Sequence, residues 1–85
     1  MSYRIIFTKQ AKKDVDALET AVKRQLHKRL VHLSTLANIS TVAKKLHNTD
    51  LGEYRLRIGN YRLIFDLNKD AIVVLRVQHR KDVYR

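Results

Sequence analysis

The chain has no cysteine, no proline and no tryptophan, only two glycines, and few acids. Without cysteine, neither a disulfide framework nor a Cys-based zinc site can form. Without proline, and with glycine so scarce, nothing reads as a linker, a low-complexity segment or a repeat, so residues 1–85 are expected to form a single domain. No apolar run approaches the roughly 20 residues of a membrane span. The N-terminus lacks the apolar core of a secretory signal. A cytoplasmic protein without membrane association is therefore expected. The shortage of acid has the largest consequence. Asp and Glu number 8 against 18 Lys and Arg, giving a formal net charge of +10. Such an imbalance favours polyanionic partners: nucleic acid, an anionic membrane surface or an acidic protein.

What is present is organised around residues 53–66, EYRLRIGNYRLIFD. Polar and apolar residues alternate on both sides of Gly59-Asn60, the mark of half-buried strands joined by a hairpin turn. Glycine at the first central position suits a type II′ turn, where φ is positive. A two-residue loop pairs Ile58 with Tyr61, Arg57 with Arg62, Leu56 with Leu63, Arg55 with Ile64 and Tyr54 with Phe65. One face is then Tyr54, Leu56, Ile58, Tyr61, Leu63 and Phe65, and the other carries Arg55, Arg57, Arg62 and Ile64. A three-residue turn at Asn68-Lys69-Asp70 would pair Phe65 with Val73, Leu63 with Leu75 and Arg62 with Arg76. That register adds Val73, Leu75 and Val77 to the apolar face. It extends a line of Arg57, Arg62 and Arg76 across the other face, beside Ile64, Ile72 and Val74. Like charges on facing strand positions repel. The row makes sense if an anion docks there, because guanidinium forks match phosphate bidentately. The alternative is three solvated arginines screened by salt.

Ahead of the hairpin, Tyr3–Phe7 reads as a strand and Thr8 as a helix N-cap. Ala11, Val15 and Leu18 give the first helix its apolar stripe. Thr20 is the candidate cap of a longer helix with Val22, Leu26, Leu30, Leu33 and Ala37 inward. Its outward Lys23, Arg24, His27, Lys28 and His32 form either a solvated surface or a source of long-range attraction to RNA. Residues 38–41 break that helix. Residues 42–46 read as one more turn carrying Lys44 and Lys45, both candidate RNA contacts, and Ala71 to His79 reads as the last strand. The order β-α-α-β-β-β predicts an α+β domain, with a helical hairpin packed on one face of a mainly antiparallel sheet. Its other face, with the arginines, stays open.

Several chemistries find no support. His27 and His32 lie five apart, off a common helix face, so no metal is expected. There is no glycine-rich phosphate loop, and no cofactor is expected. The C-terminal His79-Arg80 and Tyr84 are better placed for chemistry. His79 could serve as general acid or base. Arg80 could bind phosphate and Tyr84 could stack on a base. The alternative is a strand end with a solvated tail and Tyr84 folded back.

The element order, residues 54–65 (YRLRIGNYRLIF) with the preceding Lys45-Leu46, and the ending LRVQHRKDVY at 75–84 together resemble the RelE branch of the RelE/ParE toxin superfamily. The resemblance spans essentially the whole chain. It implies the toxin of a type II toxin–antitoxin pair, a metal-free endoribonuclease that cuts mRNA in the ribosomal A site by attack of the 2′-hydroxyl on the adjacent phosphodiester. It also implies a RelB-like antitoxin partner in a higher-order hetero-oligomer. Arg55 and Arg57 match positions where the family has lysines facing the phosphate. Arg62 matches its Tyr-Arg-Leu arginine, Arg80 a C-terminal arginine that stabilises the transition state or donates a proton, and Tyr84 a base-stacking tyrosine. An arginine at position 55 cannot give up its proton as a lysine could. The candidates for the base are then His79, and after it Glu53. Arg76 rests on the strand register alone. Part of the antitoxin is expected over Ile64, Ile72 and Val74, or along the helices. Two other readings are a ParE-like toxin that poisons DNA gyrase without cutting RNA and an inactive RNA-binding relative.

Overall fold

Gly59 has φ +60°, and the central hairpin closes around Gly59-Asn60 in the expected register. Every pair from Ile58↔Tyr61 to Tyr54↔Phe65 is present. Tyr54 and Phe65, facing each other across the strands, stack with ring centroids 5.3 Å apart. The computed structural model describes residues 2–39, 43–45 and 54–83. The elements are β1 (Arg4–Phe7), α1 (Lys9–Asp16), α2 (Thr20–Ser34), β2 (Lys44–Lys45), β3 (Tyr54–Ile58), β4 (Tyr61–Asn68), β5 (Ala71–His79) and α3 (Arg80–Val83). The sheet runs β1-β5-β4-β3-β2. Only β1 against β5 is parallel, and the other three pairings are antiparallel. The helices cover one face of this mixed sheet, as the sequence pattern predicts. Leu26, Leu30 and Leu33 of α2 and Ala11 of α1 are buried with Leu56, Ile58, Leu63, Phe65, Ile72, Val74 and Val77.

The β4–β5 hairpin departs from the expected register. Its turn has two residues, Lys69-Asp70, so Asn68 pairs with Ala71, Leu67 with Ile72 and Phe65 with Val74. A bulge at Leu75 then shifts the pairing again: Ile64 faces Arg76, Leu63 faces Val77, Arg62 faces Gln78 and Tyr61 faces His79. Ile72 and Val74 therefore point into the core, both 0% exposed, while Val73 and Leu75 are only half-buried. The apolar patch expected beside the arginines does not form. Ile64 does lie on the arginine face, but it is 2% exposed between Arg55 and Arg76, whose long stems flank it.

The strand segment around this bulge has no strand on its outer side among the described residues, because β1 pairs only with Ala71–Val74. Helix α1 supplies the missing partners. The Thr8 N–H donates to Val74 O, and the Thr8 hydroxyl donates to Leu75 O (3.1 Å) while accepting from the Ala11 N–H. One side chain thus caps α1 and ties it to the bulge. Asp14 completes the seam: its Oδ2 accepts from the Val77 N–H and from Arg76 Nε, each at 2.9 Å. Burial pushes this carboxyl's pKa up. The hydrogen bonds from Arg76, Val77 and Gln10, with the Arg76 charge, outweigh that and hold it below the ordinary 3.8.

Smaller differences have local causes. Helix α2 starts after Glu19, which makes no side-chain cap bond, with Thr20 as its first helical residue. It stops at Ser34, short of the expected Ala37. The hydroxyls of Ser34 and Thr35 donate to the carbonyls of Val31 and His32, taking over acceptors of the last turn. Lys44 and Lys45 are not helical; they pair with Arg55 and Tyr54 as a short edge strand. The chain ends its described part in α3 rather than an extended tail.

Two predictions follow from these seams. Asp14→Asn should lower stability by about 1.5–3 kcal/mol at pH 7, the range for hydrogen bonds to a charged group. Because the folded pKa lies below 3.8, this contribution is complete above that pH and is lost as pH falls through the folded value. Urea unfolding should show the gap between wild type and variant closing below about pH 4. Lys69 holds φ +54°, which costs a side-chain-bearing residue about 1–2 kcal/mol. Lys69→Gly gives back part of that through unfolded-state entropy, so a net gain of roughly 0.5–1 kcal/mol should appear in the same assay.

Candidate functional site

Two cross-strand rows carry the charge of the open face. The first runs Lys44, Arg55, Ile64, Arg76. The second runs Arg57, Arg62, Gln78. Alternation along β3 and β4 puts both rows on the side away from the helices. Arg57 and Arg62 face each other directly, with Cβ atoms roughly 4.5–5.5 Å apart. The expected line of Arg57, Arg62 and Arg76 is thus broken, because the bulge moves Arg76 into the neighbouring row. There it is held by Asp14, so its charge is already offset.

The C-terminal turn brings a third arginine to the second row. The Arg80 N–H donates to the carbonyl of Asn60 at 2.8 Å, pinning the start of α3 to the β3–β4 turn. Arg57, Gly59, Asn60, Tyr61, Arg62 and Arg80 then line a cleft of about 240 Å³. Among the described residues, no carboxylate lines it. Arg57 and Arg80 are exposed and Arg62 is half-buried. Three arginines lining one small opening are an arrangement that suits an anion, because guanidinium forks match phosphate oxygens bidentately. Lys44 and Arg55 continue the positive surface from the adjoining row.

His79 is not part of the cleft lining. It shares the row of Tyr61, on the helix side, and the two rings meet edge-to-face with centroids 4.9 Å apart at 85°. Its Nδ1 accepts from the Lys81 N–H at 3.1 Å. Lys45 pairs with Tyr54 in the edge strand. Glu53 and Tyr84 lie outside the described residues. Among the described residues, no group of three His, Asp or Glu side chains could hold a metal ion. Pattern reading missed Gln78 beside Arg62, which the observed register would have given. It also missed the Asn60 carbonyl that holds Arg80, a backbone acceptor that leaves no trace in residue pattern.

Comparison with known proteins adds to this geometry. Residues 5–84 match the family model described as the ParE toxin of type II toxin–antitoxin systems, parDE. The chain is 29% identical to Toxin RelE3 of Methanocaldococcus jannaschii, over 95% of this chain and 94% of that protein. Its fold is similar to the toxin–antitoxin complex RelBE2 of Mycobacterium tuberculosis, with a TM-score of 0.80, 28% identity, and coverage of 94% of this chain and 93% of that one. It is also similar to the intact E. coli RelBE toxin–antitoxin complex, with a TM-score of 0.75, 27% identity, and coverage of 92% and 96%.

Removing one member of the facing arginine pair should separate stability from anion binding. Arg57→Gln should raise stability by about 0.2–1 kcal/mol through relief of like-charge repulsion. The same change should weaken binding of a single-stranded RNA oligonucleotide and reduce the slope of log K against log salt by about 0.7. Urea unfolding and binding titrations at several salt concentrations check the two effects.

Proposed function

Because the chain belongs to the ParE toxin family of type II toxin–antitoxin systems, within the RelE/ParE superfamily, we propose that this type II toxin is a ribosome-dependent endoribonuclease cutting mRNA in the A site. The observation that carries the reading is the convergence of Arg57, Arg62 and Arg80 on one cleft. A gyrase-binding surface has no need of such a site, whereas in-line phosphodiester cleavage needs concentrated positive charge where the phosphorane develops.

The step requires no external reactant. The 2′-oxygen of one nucleotide bonds to the adjacent phosphorus, and the bond from phosphorus to the 5′-oxygen breaks. The products are a 2′,3′-cyclic phosphate and a 5′-hydroxyl. The 2′-OH proton passes to a base, and the 5′-oxygen gains one from an acid. Arg57 and Arg62, side by side, hold the non-bridging oxygens as they gain charge. Arg80, from across the cleft, acts on the leaving side. Arg55 and Lys44 grip the neighbouring backbone, Lys45 adds charge at that sheet edge, and Tyr84 stacks on a base. An arginine holds its proton too tightly to serve as the base, which removes position 55 from that role. Glu53, directly before β3 in the chain, is the candidate proton acceptor.

The partner is a RelB-like antitoxin, as in the complexes of similar fold. Acidic antitoxin residues would offset the arginine cleft, within a higher-order hetero-oligomer in the cytoplasm. The description of the matching family model favours a second reading, a gyrase-poisoning toxin of the ParE type. Primer extension on a translated mRNA distinguishes the two. Discrete cuts should appear only with ribosomes, and Arg80→Ala should lower their rate by about 10²–10³, the range for losing one oxyanion donor. Uncut mRNA during growth arrest, together with inhibited gyrase supercoiling, would establish the second reading instead.

A further inference from the structure

We propose that His79 is a positioning residue for Arg80: its neutral imidazole caps the N-terminus of α3 and so holds Arg80 at the rim of the arginine cleft. This rests on the role given to Arg80 in the cleavage reading.

Helix α3 is a single turn, Arg80–Val83. A turn this short has no stability of its own, and its first N–H groups need partners from outside the helix. Two of them have such partners. The Arg80 N–H is held by the Asn60 carbonyl at 2.8 Å, and the Lys81 N–H by His79 Nδ1 at 3.1 Å. His79 thus stands at the N-cap position, with Nδ1 in the place of the usual oxygen acceptor. An Nδ1 that accepts carries no hydrogen, so the ring hydrogen of the neutral imidazole is on Nε2. Tyr61 fixes the ring plane edge-on from the paired position on β4.

The same geometry argues against His79 as the general base. Its one free lone pair is taken by Lys81, and its other nitrogen is a donor. Its row is that of Tyr61, on the side of the sheet opposite the Arg57–Arg62–Gln78 row. What His79 can do is hold α3, and through α3 the cation at its first position.

Ribosome-dependent cleavage by wild type, His79→Ala and His79→Asn tests this. Asparagine is among the best N-cap residues but cannot serve as a general base at neutral pH. His79→Ala should slow cleavage by about 2–30-fold, the range of a lost cap, and His79→Asn should restore it to within about threefold of wild type. Loss of about 10²–10⁴ in both variants would identify a general base and overturn the proposal. An equal loss of any size in both, or no loss in either, would overturn it as well. NMR of the toxin decides the cap itself, whether or not the wild-type chain cleaves. The Nε2–H tautomer and an exchange-protected Lys81 amide, retained in His79→Asn and lost in His79→Ala, are expected. An Nδ1–H tautomer or an unprotected Lys81 amide in the wild type would refute it.

Discussion

The outer edge of β5 beyond Val74 is the constraint on which the architecture depends. A strand left without a neighbour exposes backbone donors and acceptors that must be satisfied or hydrated. Here the first helix does the work of a strand. Thr8 takes the carbonyl of the bulge, and Asp14 takes the Val77 N–H. This fixes where α1 lies along β5, and with it the helix pair over the core. The same carboxylate binds Arg76, so the site where helix meets sheet edge is also where one arginine of the open face is neutralised.

That neutralisation sets Arg76 apart from the arginines that line the cleft. Arg76 and Arg4 are engaged by carboxylates, Asp14 and Asp70, and serve the fold. Arg57, Arg62 and Arg80 meet around one cleft. Facing arginines on adjacent strands work against stability. The fold tolerates them because the opposite face of the same strands buries Leu56, Ile58, Leu63 and Phe65 almost completely. One side of the hairpin holds the domain together, and the other carries the charge.

The parts legible in the sequence were those with a local signal. Gly59-Asn60 between alternating runs specified both the turn and the register of β3 and β4, and with them the facing pair Arg57 and Arg62. Thr8 was readable as a cap. The β4–β5 hairpin was not readable in the same way. Its turn uses Lys69 at a positive φ where glycine would have announced it. The bulge at Leu75 has no signature in residue type, so strict alternation assigned Ile72, Val74 and Arg76 to the wrong neighbours. The two-residue β2 is polar and at the sheet edge, with nothing to separate it from a helical turn. Arg80 was a candidate because it follows the last strand directly, and the family resemblance gave it a role, but no strand pattern reaches past His79 to say where it folds.

The bulge also makes chain length, and not only residue identity, a determinant of the open face. Core-facing positions on β5 are spaced two apart from Ile72 to Val74 and three apart from Val74 to Val77. That single extra residue inverts the parity of everything after it. Were Leu75 deleted and the strand to run straight, the residues that follow would keep both their partners on β4 and their present faces. The bulge is therefore a switch of face for the rest of the strand: lost with Leu75 kept, it would turn Arg76, Val77, Gln78 and His79 over. Proteins built on this plan could exchange the side chains on their open face by moving the bulge, without substituting a single one of them.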